Sequence, residues 1–223
     1  HRRWHNQDVR GYKVMALTLI SSHYVTSAIS SLAITSGLDD TYDSYEFHCY
    51  NLVTGTAWDG KFGFQFNAAG ASGFNEVITS SHNTINRNEG GTSHNWSYTN
   101  AWDVGSANEN ITDQSNQQLY QAVNRGQYSD TSGNDGYTPD PTDYLVPDGT
   151  SCGVIRLYNP ASTTYVKYFT ADFATMGGVK SAVHTFHSFV GGYVNTTAAL
   201  DEISFKYHNG TWGSGVIYMY GVT

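Results

Sequence analysis

The chain is patterned as short runs in which apolar and polar residues alternate. In Ile203-Ser-Phe-Lys-Tyr207 the odd positions are apolar and the even ones polar, which is the two-residue period of a strand with one buried face. Ile217-Tyr-Met-Tyr-Gly221 continues this pattern with the aromatic residues that sheets favour. Asn209-Gly210 lies between the two runs and can adopt the positive φ angles of a tight turn. The closing block therefore predicts a hairpin whose last strand lies inside a sheet.

The first third of the chain shows the same period. Residues 16–36 alternate and are rich in Ser, Thr, Ile and Val, which predicts one or two outer strands. Residues 45–53 predict a further strand. Four of its positions should face a core, namely Tyr45, Phe47, Cys49 and Val53. Asp59-Gly60 is a second hairpin signal, and residues 62–66 after it place three phenylalanines on one face of a strand.

The middle of the chain is polar and rich in Gly and Asn. It predicts weak strands near residues 75–79 and 95–98, and one helical turn over residues 115–123, where two apolar residues are four apart. Residues 129–148 hold three of the four prolines. This segment predicts a long surface excursion of the kind that often carries function or subunit contacts.

Alternation returns in the last third of the chain, in residues 153–158, 164–169 and 184–190. A turn at residues 159–163 predicts that the first two of these strands form a hairpin. Counted together, eight to eleven strands without helix-strand alternation predict an all-β fold, an antiparallel β-sandwich or jelly roll. A length of 223 residues suits a single domain, and a composition with 13% charged and 14% aromatic residues is typical of β-proteins with polar surfaces.

The first fourteen residues differ in charge from the rest. They hold one acidic and four basic residues (Arg2, Arg3, Arg10 and Lys13), whereas residues 15–223 hold 7 basic and 18 acidic residues. We expect residues 1–14 to be a basic N-terminal arm that contacts an acidic neighbouring subunit, or an upstream extension before a start at Met15. An acidic body argues against nucleic acid as a partner. No apolar run approaches the ~18 residues of a membrane-spanning helix, so no membrane partner is expected.

The candidate catalytic and metal-binding patterns are each weak. Gly149-Thr-Ser-Cys-Gly153 matches the G-x-S-x-G of a nucleophile elbow, but that motif needs a helix after the serine, and here a strand is predicted after Ser151. His184 and His187 are three apart, so a strand would place them on opposite faces. We therefore expect a protein without enzyme activity, metal or cofactor.

The chain has two cysteines, Cys49 and Cys152. They allow one disulfide, although two buried thiols that behave as small apolar side chains are the favoured interpretation. Because no C-x-x-C pair occurs, a thiolate zinc site is not expected.

Tryptophan supplies the one candidate ligand contact. Trp58, Trp96 and Trp212 lie near Gly- and Asn-rich turns, where exposed indole rings could stack on sugars. The favoured alternative is that these rings fill the sandwich core or an interface between copies, since tryptophan is also enriched at interfaces. A host glycan is therefore a secondary candidate partner.

Several segments resemble small structural proteins of marine tailed bacteriophages. They are residues 15–22, 34–47, 157–169, 191–199, 200–206 and 215–222, and the closing Gly215-Val-Ile-Tyr-Met-Tyr-Gly-Val222 belongs to the most specific block. The resemblance implies a non-enzymatic virion component and carries over no catalytic residue. We expect a protein that decorates or cements the capsid exterior through contacts with copies of itself and other virion proteins. A tail protein, and a tail-associated or secreted carbohydrate-binding module, are the alternatives.

Overall fold

The computed structural model describes residues 16–55, 62–91, 94–98, 117–118, 149–179, 182–207 and 210–223. Over these residues the chain forms twelve strands and no helix. The strands are β1 (Leu17–Val25), β2 (Ser31–Ile34), β3 (Ser44–Thr54), β4 (Phe62–Ala68), β5 (Ile78–Asn88), β6 (His94–Tyr98), β7 (Gln117–Gln118), β8 (Ser151–Tyr158), β9 (Lys167–Val179), β10 (Ala182–Val194), β11 (Leu200–Tyr207) and β12 (Trp212–Val222). The predicted arm at residues 1–14 and surface excursion at residues 129–148 lie outside the described residues.

The strands form two sheets, which we call the large sheet and the small sheet. The large sheet has the strand order β1-β12-β3-β8-β9-β10-β5-β6, and the small sheet has the order β2-β11-β4-β7. Every ladder in the described ranges is antiparallel. The inner faces of the two sheets share one apolar core, so the predicted antiparallel β-sandwich is confirmed. The last strand lies inside the large sheet, between β1 and β3, as the closing block predicts.

Aromatic rings fill the space between the two sheets. Phe62 and Phe64 on the small sheet contact Trp212 and Phe169 on the large sheet, with ring centroids 5.6 and 5.3 Å apart. All four side chains are buried. Edge-to-face contacts of this kind each add about 0.5–1.5 kcal/mol to the free energy gained by burying the rings. The three phenylalanines predicted to share one face of β4 therefore form the main contact of the small sheet with the core.

The two hairpin signals join strands of different sheets. β11 belongs to the small sheet and β12 to the large sheet, so the hairpin predicted at Asn209-Gly210 is wrong. The chain changes sheets between Tyr207 and Trp212, because both rings pack on Phe62 with centroids 5.6 Å from it. β3 and β4 also lie in different sheets. The hairpin predicted at Asp59-Gly60, which itself lies outside the described residues, is therefore wrong too.

A bulge in β3 reverses the alternation of its side chains. Asn51 has a φ of 51°, and the register with β8 shifts between Cys49 and Leu52. The predicted core positions up to Cys49 are fully buried. Beyond the bulge Leu52 is buried and Val53 is only half-buried, so the core position predicted for Val53 is wrong. One extra residue moves every later side chain of the strand to the opposite face.

Most other strand predictions are confirmed with longer bounds. The predicted pairing of residues 153–158 with residues 164–169 is the β8–β9 ladder. Gln117 and Gln118 pair with β4 as a short strand. The helical turn predicted over residues 115–123 is therefore wrong at these two positions, and its other residues lie outside the described ranges. A hydrogen-bonding edge on β4 overrides the weak helical pattern there.

Two buried polar side chains tie loops to the sandwich. The ammonium of Lys167 donates hydrogen bonds to the backbone carbonyls of Ala198 and Thr196, and burial lowers the pKa of Lys167. The hydroxyl of Tyr45 donates to the carboxylate of Asp39 over 2.8 Å, and burial raises the pKa of Tyr45 to about 12. These contacts satisfy polar groups whose burial would otherwise be unfavourable.

Replacing Phe62 tests the aromatic core. We expect Phe62→Ala to lower the free energy of unfolding by about 3–5 kcal/mol, measured by urea denaturation, because the ring is lost from a packed cluster. The rings that it contacts are Phe173, Phe205, Tyr207 and Trp212. Tyr168→Ala is the control, since Tyr168 is 59% exposed and its removal should change stability by about 0.5 kcal/mol or less. Equal losses in both variants would contradict this account of the core.

Candidate binding surface

The structure separates the three candidate tryptophans. Trp212 is fully buried against Phe62, so the glycan contact considered for it is wrong, and the alternative of a core side chain is correct. Trp96 on β6 is 71% exposed. Trp58 lies outside the described residues, as do the four basic residues of the predicted arm, Arg2, Arg3, Arg10 and Lys13.

Exposed apolar side chains gather on one surface, the outer face of the large sheet. We use this name for the side chains of the large sheet that point away from the small sheet. Because side chains alternate along a strand, Tyr168 points outward where its neighbour Phe169 points into the core. Eight strands about 4.8 Å apart make this face roughly 34 Å wide. Its large exposed side chains are Leu17, Leu19, Tyr24, Tyr50, Ile85, Trp96, Tyr158, Tyr168 and Phe189.

One part of the outer face is a tyrosine patch, which consists of Tyr24, His48, Tyr50, Tyr218 and Tyr220. The hydroxyls of Tyr218 and Tyr24 are 3.1 Å apart, and the ring centroids of Tyr218 and Tyr50 are 5.9 Å apart. The ring of His48 lies 4.8 Å from that of Tyr220. The hydrogen bond with Tyr24 raises the pKa of Tyr218. The patch therefore offers aromatic rings together with hydroxyl groups that can hydrogen-bond to a partner.

Two carboxylates of the outer face, those of Glu46 and Asp172, form ion pairs or hydrogen bonds with basic groups. Glu46 contacts Nε2 of His48 at 2.7 Å and Nε of Arg156 at 2.9 Å. Partial burial opposes its ionisation, but these hydrogen bonds outweigh burial and lower the pKa of Glu46. Asp172 lies 2.6 Å from Nε2 of His187. The guanidinium of Arg156 offsets the charge of Glu46, although the whole chain carries a net charge of −8.

A second part of the outer face is the Trp96 patch, which consists of Trp96, Ile85, His187, Phe189 and Asp172. The strand register places Trp96 opposite Ile85 on β5, and Ile85 opposite His187 on β10. The rings of His187 and Phe189 have centroids 3.9 Å apart. Exposed apolar side chains thus lie beside a His–Asp pair that can exchange hydrogen bonds with a ligand.

Ser151 belongs to a strand rather than to a nucleophile elbow. β8 begins at Ser151 and continues without a break to Tyr158. The buried hydroxyl of Ser151 lies 2.6 Å from that of Thr175 on the neighbouring strand β9. Because the chain does not turn into a helix here, the motif lacks the geometry that exposes a catalytic serine. The hydrogen bond gives Ser151 a structural role.

Two residue pairs that could have formed chemical sites are split between the faces of the large sheet. Cys49 is opposite Gly153 in the register, so the side chain of Cys152 points to the other face. Both thiols are free, which makes the disulfide alternative wrong, and burial raises the pKa of Cys49.

His184 and His187 lie on opposite faces of β10, as predicted, because the ladders of β10 run without a register shift.

Neither metal ligation nor similarity to other proteins points to a specific activity. In the described part of the chain, no three His, Cys, Asp or Glu side chains are grouped closely enough to hold a metal ion. The same part contains no helix that is long and apolar enough to cross a membrane. Comparisons with protein-family models, curated proteins and solved structures gave no match to this chain.

Reasoning from the sequence missed the tyrosine patch. Tyr24 and Tyr218 are 194 positions apart and meet only because β1 and β12 are neighbours. A usable signal was the pair of tyrosines that alternates with Ile217 and Met219, since residues between core positions point outward. This signal identifies the tyrosines that β12 contributes to the patch, but it does not show which strands lie beside β12.

A substitution at Ser151 separates a structural from a catalytic role. We expect Ser151→Ala to lower the free energy of unfolding by about 1–3 kcal/mol, because the buried hydroxyl of Thr175 loses its partner. Ser22→Ala, at an exposed position on β1, is the control and should be close to neutral. A fluorophosphonate probe, which labels activated serines, should leave the native protein unlabelled. Labelling that disappears in Ser151→Ala would contradict the structural role.

Proposed function

We propose that the protein is a non-enzymatic structural protein that attaches to a larger assembly through the outer face of the large sheet. The observation that carries this proposal is the exposure of large aromatic side chains on a broad sheet, with Trp96 at 71%, Tyr24 at 65% and Tyr168 at 59%. Aromatic residues are enriched in protein interfaces, and exposed apolar patches mark interaction sites. Since the sheet positions these rings before binding, little conformational entropy is lost on attachment.

The assembly that we propose is a bacteriophage particle, and the position is the capsid exterior. The support is the resemblance of residues 34–47, 157–169 and 215–222 to phage structural proteins, together with a face suited to contacts rather than chemistry. The guanidinium of Arg156 offsets the charge of Glu46, which favours contact with a surface that forms hydrogen bonds without carrying strong charge. Copies of the protein would then decorate or cement the shell, and an N-terminal arm would add contacts with neighbouring subunits.

Substitutions on the outer face test attachment. We expect the triple variant Tyr50→Ala/Trp96→Ala/Tyr168→Ala to lower the copy number per purified phage particle at least about tenfold, because truncating aromatic anchors removes most of the binding energy of an interface. Copy number is measured by quantitative mass spectrometry of particles assembled with each variant.

The control for attachment is the variant Val77→Ala/Tyr165→Ala. Both side chains are exposed, at 36% and 69%, but they lie in loops rather than on the outer face. This variant should be incorporated like the native protein. Unchanged occupancy in the triple variant, with the fold intact by circular dichroism, would overturn the proposal.

Carbohydrate binding is the second candidate function, and the exposure of Trp96 favours it. A flat indole ring can stack on a sugar, and the polar groups of Asp172 and His187 on the same face can bond to hydroxyls. Only Trp96 of the three candidate tryptophans supports this function, since Trp212 is buried and Trp58 lies outside the described residues.

A glycan array distinguishes the two functions. If the protein is a carbohydrate-binding module, the native chain should bind a defined set of glycans, and Trp96→Ala should weaken that binding at least about tenfold, the size of a lost stacking anchor. Tyr165→Ala should bind like the native protein, because Tyr165 lies in the loop before β9. No binding by the native protein, or equal binding by Trp96→Ala, would remove this candidate.

A further inference from the structure

β1 forms an open edge of the large sheet. It pairs with β12 on one side, and no strand within the described residues pairs with its other side. It has nine residues, whereas the other three edge strands, as far as the structure describes them, have five (β6), four (β2) and two (β7) residues. An edge strand presents a row of backbone donors and acceptors that can pair with another extended chain.

The sequence of β1 lacks the residues that usually protect an edge. Leu-Thr-Leu-Ile-Ser-Ser-His-Tyr-Val contains no Asp, Glu, Lys or Arg and no proline, although 13% of the whole chain is charged. The register with β12 shifts once, between Leu19 and Ser21. Leu17–Leu19 and Ser21–Val25 each pair with β12 without a break, so regular segments of the edge lie on both sides of the shift.

We propose that β1 is a strand-addition site whose occupant is β1 of a second copy of this chain, paired antiparallel about a two-fold axis. Such a pair joins two large sheets into one continuous sheet. The absence of charge on β1 matters because each copy has a net charge of −8, and this edge brings no like charges together at the contact.

The side chains of β1 complement each other in this arrangement. A two-fold axis perpendicular to the sheet keeps outer-face residues beside outer-face residues. Leu17 of one copy therefore meets Tyr24 of the other, and Leu19 meets Ser22. Leu17 is 52% exposed and Tyr24 is 65% exposed in the single chain. Pairing covers both side chains, and contacts between aromatic and aliphatic residues across strands stabilise antiparallel pairs.

Self-association of the full chain is the first test. Sedimentation equilibrium should show a monomer–dimer equilibrium for the native protein, and Leu19→Lys should weaken the dimer at least about tenfold, because a lysine on each copy places charge at the shared edge. Leu19 is 53% exposed, so the variant should fold. Tyr165→Lys places the same charge in the loop before β9, away from β1, and should leave the equilibrium unchanged. A native monomer at all concentrations, or a dimer indifferent to Leu19→Lys, would overturn the proposal.

Disulfide trapping tests the register independently. In a Cys152→Ala background, the double variant Leu17→Cys/Tyr24→Cys should form a covalent dimer on oxidation, seen on a non-reducing gel. The two new thiols of one chain are seven residues apart on one strand, about 23 Å, and cannot bond to each other. In the single variant Leu17→Cys the thiol would face the native Tyr24 of the other copy, and in Tyr24→Cys it would face the native Leu17. Neither single variant should give a covalent dimer. A double variant that stays monomeric, or single variants that cross-link equally well, would contradict the two-fold pairing.

Discussion

The contact between the two aromatic inner faces is the constraint on which the rest of the structure depends. Phe62 alone contacts four rings, two on each sheet, including Phe173 and Trp212 of the large sheet. Protein cores are packed closely, so each ring must lie beside its own neighbours. The strands must therefore keep the register that directs these rings into the core, because a slip of one residue would turn them to the other face. The chain therefore changes sheets between β11 and β12 instead of turning back on itself, since both Tyr207 and Trp212 are needed on opposite sides of the same core.

The same constraint produces the outer face. Every strand of the large sheet that directs a residue into the core directs its neighbours outward, so the core position of Ile217 determines where Tyr218 lies. The small sheet packs against the inner face only, which leaves the opposite face to other contacts. A packed sandwich thereby holds rings such as Trp96 and Tyr24 on a surface that needs no rearrangement before it binds. This rigidity, rather than any single cluster of polar groups, is what supports the attachment proposed for the outer face.

Alternation in the sequence predicts most strands, because the side-chain period depends only on local backbone geometry. It does not predict which strands pair. The chain crosses from one sheet to the other between Tyr207 and Trp212, and the choice between pairing and crossing depends on the core around Phe62, far away in the sequence. The bulge at Asn51 is similarly hidden, since nothing local marks the extra residue that turns Val53 outward. Trp96 and Trp212 have similar polar surroundings in the sequence, but the side chain of Trp96 points to the outer face and that of Trp212 points into the core.

The two proposed contact surfaces are compatible because they use different parts of the large sheet. Pairing through β1 uses backbone groups and side chains at that edge of the sheet, such as Leu17 and Tyr24, whereas attachment uses side chains of strands farther from it, such as Tyr168 and Trp96. A two-fold axis normal to the sheet would leave both outer faces pointing the same way, so a pair of copies would present two aromatic surfaces to one target. Binding by the second copy would then be intramolecular, which raises the apparent affinity without any new contact. Modest affinity at each outer face would therefore suffice for lasting attachment, provided that the edge of β1 forms the pair.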